Sequence, residues 1–195
     1  MASAAILAGG QARRFGGRDK SQLRVAGRPI LDWQLDALHR LTNDILLVGA
    51  RPLDDREGLR RVPDRVPDSG PLGGLDAALE AARDDRLLLV ACDMPFVTAD
   101  FLASLLALSD SVDAVVPRTE RGYHPLCAVY GRSCHPAVVR RLAERRLKML
   151  DLFEDLNVHV VGPEHVALYG GNRLLANVNT PDELDNLQAL LGHEL

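Results

Sequence analysis

Short apolar runs alternate with amphipathic stretches along most of this chain. The runs around 4–7, 44–48 and 86–91 are nearly continuous, which is typical of strands buried on both faces of a sheet. Weaker extended patterns predict further strands at 61–63, 114–116, 123–130, 157–161 and 174–178. The sequence therefore predicts many short strands separated by other elements.

Between these strands, apolar residues recur at helical spacing, as with Leu31, Leu35 and Leu38. Helices are predicted at 29–41, 73–82, 98–108, 136–145 and 181–191. Thr98 is a candidate N-cap, and so is Thr180, three residues before Glu183 in a capping box. This alternation favours an α/β fold: a doubly wound, mostly parallel central sheet with helices on both faces. In such sheets ligands bind beyond the carboxyl ends of the strands.

The most informative segment, 7–20, follows the first predicted strand and reads LAGGQARRFGGRDK. Its glycines allow close approach of the backbone to a ligand, and its cations suit a polyphosphate. These cations are Arg13, Arg14, Arg18 and Lys20. The whole chain has 21 arginines but only two lysines, so Lys20 indicates a need for a compact point charge. The alternative is a solvated basic loop.

Two common phosphate loops do not match this segment. Asp19 precedes Lys20-Ser21 where a Walker loop has glycine, and Gly9-Gly10 lacks the later glycine of the Rossmann fingerprint. The segment instead resembles the signature of pyrophosphorylase-like nucleotidyltransferases, and most closely that of the molybdenum cofactor guanylyltransferase family. The resemblance runs in colinear order over 4–187 and implies a nucleotide-diphospho-sugar transferase-like fold.

The same resemblance implies an enzyme that transfers GMP from GTP to molybdopterin or its molybdenum-loaded form and releases pyrophosphate. It implies that the backbone of Leu7, Ala8, Gly9 and Gly10 holds base and ribose, and that Arg14 and Lys20 hold phosphates. The family's guanine-contacting Asn is absent: after Val48 the chain reads Gly49-Ala50-Arg51, so backbone groups or Arg51 would serve there.

A candidate metal ligand, Asp93, comes directly after the strand 86–91. A carboxylate at the end of a buried strand is costly unless compensated, and Mg²⁺ beside a triphosphate is a common partner. The alternative is a turn cap before Pro95. The resemblance favours metal binding, because Cys92–Phe96 matches the family's Cys-Asp-x-Pro-aromatic element. We expect Mg²⁺, with Mn²⁺ as a substitute.

Two further clusters follow predicted strands. Gly70-Pro71-Leu72-Gly73-Gly74 opens a helix and matches the family's Gly-Pro-Leu-x-Gly element, which implies a nucleotide contact from Asp64, or else Asp68. Asn177 and Asn179 lie two apart on a segment predicted to be extended, so both amides face one side. Asn179 is the preferred second metal ligand, and Asn177 is assigned with His124 to the acceptor.

His124-Pro125 resembles the family's His-Pro element on the acceptor side. The alternative is a structural role for this histidine. Lys148, with Glu144-Arg145-Arg146, is either an acceptor-phosphate contact or a solvated charge run. A sister cytidylyltransferase, a sugar-phosphate nucleotidyltransferase, a non-catalytic regulator and a kinase-like phosphotransferase are the rival functions.

Composition limits the partners. The net charge of the 195 residues is −4, but residues 1–28 carry six cations and one anion, which suits a small anionic ligand better than nucleic acid. We expect one domain over 1–195, with a nucleotide half of about 1–97 and an acceptor half of about 98–195. Three cysteines without a paired motif favour the cytoplasm. No membrane association is expected, and a monomer is expected.

Overall fold

The computed structural model describes residues 1–8, 24–49 and 58–178. The strands of these residues are β1 (Ser3–Leu7), β2 (Arg24–Val25), β3 (Arg28–Pro29), β4 (Ile45–Val48), β5 (Leu59–Val62), β6 (Arg86–Ala91), β7 (Ala114–Thr119), β8 (Gly122–Tyr123), β9 (Cys127–Gly131) and β10 (Val158–Val161). The helices are α1 (Ile30–His39), α2 (Gly70–Ala81), α3 (Ala99–Ala107), α4 (His135–Ala143) and α5 (Pro163–Ala167). No helix in the described ranges is long and apolar enough to cross a membrane.

One mixed sheet organises the fold, with strand order β10-β7-β9-β6-β1-β4-β5 and β8 paired to β7. Strands β5, β4, β1 and β6 are mutually parallel, and β10 is parallel to β7. Strand β9 runs antiparallel to both of its neighbours, β6 and β7. The predicted fold class, mostly parallel with helices, is confirmed. The two halves predicted from the sequence share this sheet, because β6 pairs with β9.

Alternate residues of the central strands point into two separate cores, one on each face of the main sheet. Ile6, Ile45 and Val90 pack on one face with residues of α1 and α3. Leu7, Leu46 and Leu89 pack on the other face with residues of α2 and α4. The strands are apolar on both sides because helices cover both sides of the sheet, and this explains the continuous apolar runs.

Several element bounds differ from the prediction. The segment 174–178 is not a strand: a 3₁₀ turn at Gly171–Arg173 leads into turn and irregular backbone. Leu174 and Leu175 are nevertheless buried in a core, and an apolar run of this length does not distinguish a strand from an irregular buried segment. Helix α2 begins at Gly70, three residues earlier than predicted, and Thr98 caps α3 through a bond to the Phe101 N–H. The predicted helix 181–191 and its cap Thr180 lie outside the described residues.

Asp44 joins three strands at the amino edge of the sheet. Its buried carboxylate accepts hydrogen bonds from the Ser3 hydroxyl (2.6 Å), the Arg60 guanidinium (2.6 Å) and the Arg83 backbone N–H (3.1 Å). Burial alone would raise the pKa of Asp44, but these hydrogen bonds outweigh burial and hold the pKa below its ordinary value of 3.8. The ionised carboxylate therefore stabilises the fold.

Asp44→Asn is expected to lower the free energy of unfolding by about 2 kcal/mol at neutral pH, because it removes charged hydrogen bonds from a buried site. Since the folded pKa is depressed, this stabilisation is present above pH 3.8 and is lost as the pH falls below that value through the folded pKa. Urea unfolding from pH 7 to pH 3 measures it. Asp100→Asn, which breaks the exposed Arg40 pair, is the control and should change stability by no more than ~0.5 kcal/mol. Equal effects of the two substitutions would contradict the prediction.

Candidate functional site

A cavity of about 510 Å³ lies at the carboxyl edge of the sheet. It is lined by the ends of β1, β4 and β6, by residues 64 and 66, by residues 68–71 and 74 at the start of α2, and by Leu126. The chain passes from β1 to β4 and β5 on one side, and then returns to β6 on the other side of β1. The cavity therefore lies at a topological switch point, where open α/β sheets bind ligands.

Backbone hydrogen bonds fix the floor of this cavity. The Ala8 N–H donates to the Val48 carbonyl (2.9 Å), and the Cys92 N–H donates to the Leu7 carbonyl (3.1 Å). Leu7, the first residue of the segment 7–20, also lines the cavity. Within that segment, Gly9, Gly10, Arg14 and Lys20 lie outside the described residues, and their predicted roles stay predictions.

Asp93 is half-buried and lines the cavity directly after β6. The Met94 N–H donates to the Ala91 carbonyl (3.3 Å), which closes a turn around Cys92-Asp93. The Val178 N–H donates to the Asp93 carbonyl (2.8 Å), so the C-terminal segment crosses this turn. Asn177 is exposed beside that bond, whereas Asn179 lies outside the described residues.

The predicted nucleotide contacts Asp64 and Asp68 both line the cavity, just before α2. Asp68 has a φ of +55° and Gly70 a φ of +56°, so the backbone turns sharply where the helix begins. The first turn of α2 contains no acidic residue. The positive end of the helix dipole therefore suits an anionic ligand in the cavity.

Gly73 allows close packing inside this first turn. A Cβ at Gly73 would lie 2.7 Å from the Ser69 Cβ, an atom attached directly to the backbone. Ser69 is itself buried and lines the cavity. A larger residue at position 73 would therefore displace a part of the cavity wall.

His124 lies near the cavity but does not line it. Its Nε2 is 2.9 Å from the Thr119 hydroxyl, and its backbone N–H donates to the Pro117 carbonyl (2.8 Å). Burial, with a smaller effect from Arg121, lowers the pKa of His124 below 6.5, so its ring is neutral at neutral pH. Leu126, two residues further on, reaches the cavity wall.

The charge run at 144–148 is largely engaged in surface pairs. Arg146 lies 3.1 Å from Glu154 and 3.8 Å from Glu144, while Lys148 is exposed. The buried Arg141 holds Asp155 and Glu154 against α4. Arg145 is exposed as well, and the choice between an acceptor-phosphate contact and a solvated charge run stays open for Lys148.

Two features of the site were missed from the sequence. Ser69 and Val66 line the cavity without any recognised signal. Gln34 donates from α1 to the carbonyls of Ala91 and Met94, on either side of Asp93. The sequence could have indicated that Gln34 is buried, because this polar residue lies at helical spacing within the apolar stripe of Leu31, Leu35 and Leu38.

Two of the three cysteines, Cys127 and Cys134, are not activated as nucleophiles. Burial raises the pKa of the Cys127 thiol to about 12. The pKa of the Cys134 thiol is also raised to about 12, mainly because of burial. Cys92 is buried next to Asp93, and all three are free of disulfides. The described part of the chain holds no cluster of three or more His, Cys, Asp or Glu arranged to bind a metal.

Comparison with solved structures finds the same architecture in other proteins. The chain is similar to molybdopterin-guanine dinucleotide biosynthesis protein A from Archaeoglobus fulgidus, with a TM-score of 0.83 and 26% identity over 99% of this chain and 100% of that one. It shares its fold with 4-diphosphocytidyl-2C-methyl-D-erythritol synthase from Anaerococcus prevotii, with a TM-score of 0.73 and 18% identity over 98% of this chain and 96% of that one.

Sequence comparison is more specific. A family model described as a MobA-like NTP transferase domain matches residues 4–160. A probable molybdenum cofactor guanylyltransferase from Pelotomaculum thermopropionicum is 34% identical over 94% of this chain and 90% of its own. A molybdenum cofactor guanylyltransferase from Desulfosudis oleivorans is 31% identical, over 95% of this chain and 94% of its own. The chain thus belongs to the MobA-like NTP transferase family and, within it, to the molybdenum cofactor guanylyltransferases.

Proposed function

We propose that this chain transfers GMP from GTP to molybdopterin, or to its molybdenum-loaded form, and releases pyrophosphate. The observation that carries the proposal is the cavity at the switch point of the sheet, with Asp93 on one wall and the start of α2 on another. The reaction is inferred from membership of the family, and the cavity is the site in which we propose that the nucleotide binds. The buried free cysteines support a reducing compartment such as the cytoplasm.

A divalent cation fits the donors at this site. Mg²⁺ prefers one or two carboxylates together with phosphate oxygens and water, and Asp93 offers a half-buried carboxylate on the cavity wall. Asp93 would hold the ion, with Asn179 as the second protein ligand in our proposal. When bound, the ion would neutralise charge on the triphosphate and on the pyrophosphate that leaves.

The protein groups bind and orient the two reactants. The attacking group is a phosphate that is already an anion, so no general base is required. Such a transfer depends on positioning and on neutralising charge more than on covalent chemistry by the protein. We propose that Arg14 and Lys20 hold the phosphates from the segment 7–20, and that Leu7, Ala8, Gly9 and Gly10 hold base and ribose through their backbone.

The nucleotide and the acceptor would bind at different parts of the carboxyl edge of the sheet. Asp64, with Asp68 as the alternative, is proposed to contact the nucleotide, since both residues line the cavity near the start of α2. Val48 lines the cavity where the base would lie, so guanine recognition there would depend on backbone groups or on Arg51. His124, as a neutral ring, and the exposed Asn177 are proposed for the acceptor.

The proposed function predicts that the protein binds GTP with Mg²⁺ more tightly than CTP, UTP or ATP. Isothermal titration with the four nucleotides measures this preference, and pyrophosphate release with molybdopterin as acceptor measures the reaction. Equal affinity for all four nucleotides would contradict the guanylyl assignment. Turnover with CTP in place of GTP would identify a cytidylyltransferase instead.

Asp93→Asn is expected to lower metal-dependent turnover by at least ~10²-fold, the scale of losing one strong electrostatic stabiliser. The substitution is nearly isosteric, so the thermal unfolding temperature should change little. Asp85→Asn, an exposed carboxylate at the opposite edge of the sheet, is the control and should retain full turnover. Near-normal pyrophosphate release by Asp93→Asn would leave Asp93 as a turn residue.

Gly73→Ala is expected to weaken GTP binding about tenfold, because the new Cβ displaces Ser69 and overpacking of this kind costs about 1–3 kcal/mol. Gly162→Ala is the matched control, since its Cβ would meet only the flexible end of the Glu164 side chain. Titration of both variants with GTP tests the difference. The same affinity in both would show that the α2 entrance does not shape the nucleotide site.

A further inference from the structure

Gln34 is a polar side chain placed entirely inside the protein. It lies on α1 with 0% exposure, on the face that carries the buried Leu31, Leu35 and Leu38. Its Nε2 donates to the Ala91 carbonyl (2.7 Å) and to the Met94 carbonyl (3.0 Å). One amide group therefore holds both ends of the two-residue turn Cys92-Asp93.

The orientation of this amide follows from its partners. Both acceptors are carbonyl oxygens, so only the NH₂ end can face them. The Gln34 Oε1 is buried and has no hydrogen-bond partner among the described residues. Among the described residues, the contribution of this side chain therefore lies in its two N–H bonds to the turn.

The turn is held by backbone bonds on its other sides. Cys92 is bonded to Leu7 in β1, and the Asp93 carbonyl accepts from Val178. Gln34 adds two hydrogen bonds to this turn from α1, which packs on one face of the sheet. The turn that bears the Asp93 carboxylate is therefore hydrogen-bonded to three parts of the chain: to β1, to the segment that ends at Val178, and to α1.

We propose that Gln34 is a positioning residue that fixes the Asp93 turn for the nucleotidyl transfer. The inference rests on the proposed function, in which Asp93 holds the metal. Its physical reason is that displacement of a charged group by ~1 Å can lower a rate by about 10²-fold, while substrate binding through other contacts is largely kept. Gln34 itself touches neither nucleotide nor acceptor in this proposal.

Two substitutions remove the donors in different ways. Gln34→Met keeps the length of the side chain and removes both N–H groups, whereas Gln34→Glu keeps its shape and puts carboxylate oxygens against two carbonyls. Either variant that folds, as judged by circular dichroism, serves the test. Leu105→Ala on α3, in the same core, is the control for a general loss of stability.

The full-length protein is assayed with GTP, with Mn²⁺ as a spectroscopic probe. We expect Gln34→Met to lower kcat at least tenfold, to keep the KM for GTP within about twofold at saturating metal, and to weaken Mn²⁺ binding to the GTP complex in electron paramagnetic resonance titrations. Leu105→Ala should lower the unfolding temperature but leave kcat and the Mn²⁺ titration unchanged below that temperature. Wild-type kcat and Mn²⁺ binding in Gln34→Met, or the same losses in Leu105→Ala, would overturn the proposal.

The Asp93→Asn variant separates this proposal from the proposed function. In the double variant with Gln34→Met, kcat should fall little below that of Asp93→Asn, because residues that act through one another are not additive. Full additivity would overturn the positioning role while leaving the metal role of Asp93 in place. Unchanged Mn²⁺ binding in Asp93→Asn would overturn the metal role itself, and with it the positioning of a metal ligand by Gln34.

Discussion

The site depends on the parallel pairing of β1 with β4 on one side and β6 on the other. Leu7 is in register with Val48 and with Ala91, so the three strands end at one level. Parallel strands require crossover connections, and each connection here begins at the same edge of the sheet. Segments that are far apart in sequence therefore meet at one cavity, and a shift in either pairing would separate the floor of the site from Asp93.

The two edges of the sheet have different tasks. At the amino edge, the buried carboxylate of Asp44 accepts hydrogen bonds from Ser3, Arg60 and Arg83. At the carboxyl edge, Asp93, Asp64 and Asp68 line an open cavity, and this concentration of carboxylates is tolerable where water, a metal or another ligand can reach it. The five residues of β1, at about 3.3 Å each, keep the edges about 16 Å apart.

The sequence predicted the fold class, because buried parallel strands and amphipathic helices produce different apolar periods. It also predicted which segments follow strands, and Leu7, Asp64, Asp68 and Asp93 line one cavity for that reason. It did not predict the hairpin of β2 and β3 or the short α5, since strands of two residues and a helix of five have no readable period. The irregular course of 174–178 is set by burial against the rest of the chain, which a local pattern does not encode.

Gln34 shows a different limit of sequence reasoning. A polar residue in an apolar stripe indicates a buried hydrogen bond, but its partners are 57 and 60 residues away along the chain. No local rule connects α1 with the turn after β6. The tertiary structure makes this connection by packing α1 and α3 against the same face of the sheet.

The reversed direction of β9 has a consequence for how this fold changes over evolution. Because β9 is antiparallel to β6, the segment that reaches the cavity from it comes before the strand, through Leu126, and not after it. That segment lies between β7 and β9 and contains the short strand β8, which pairs with β7. Within it, His124 forms hydrogen bonds with the Thr119 hydroxyl and the Pro117 carbonyl. Insertions or replacements there leave the pairing of β1, β4 and β6 untouched. The side of the cavity formed by Leu126 can thus be rebuilt while the side formed by β1, β4 and β6 is inherited unchanged.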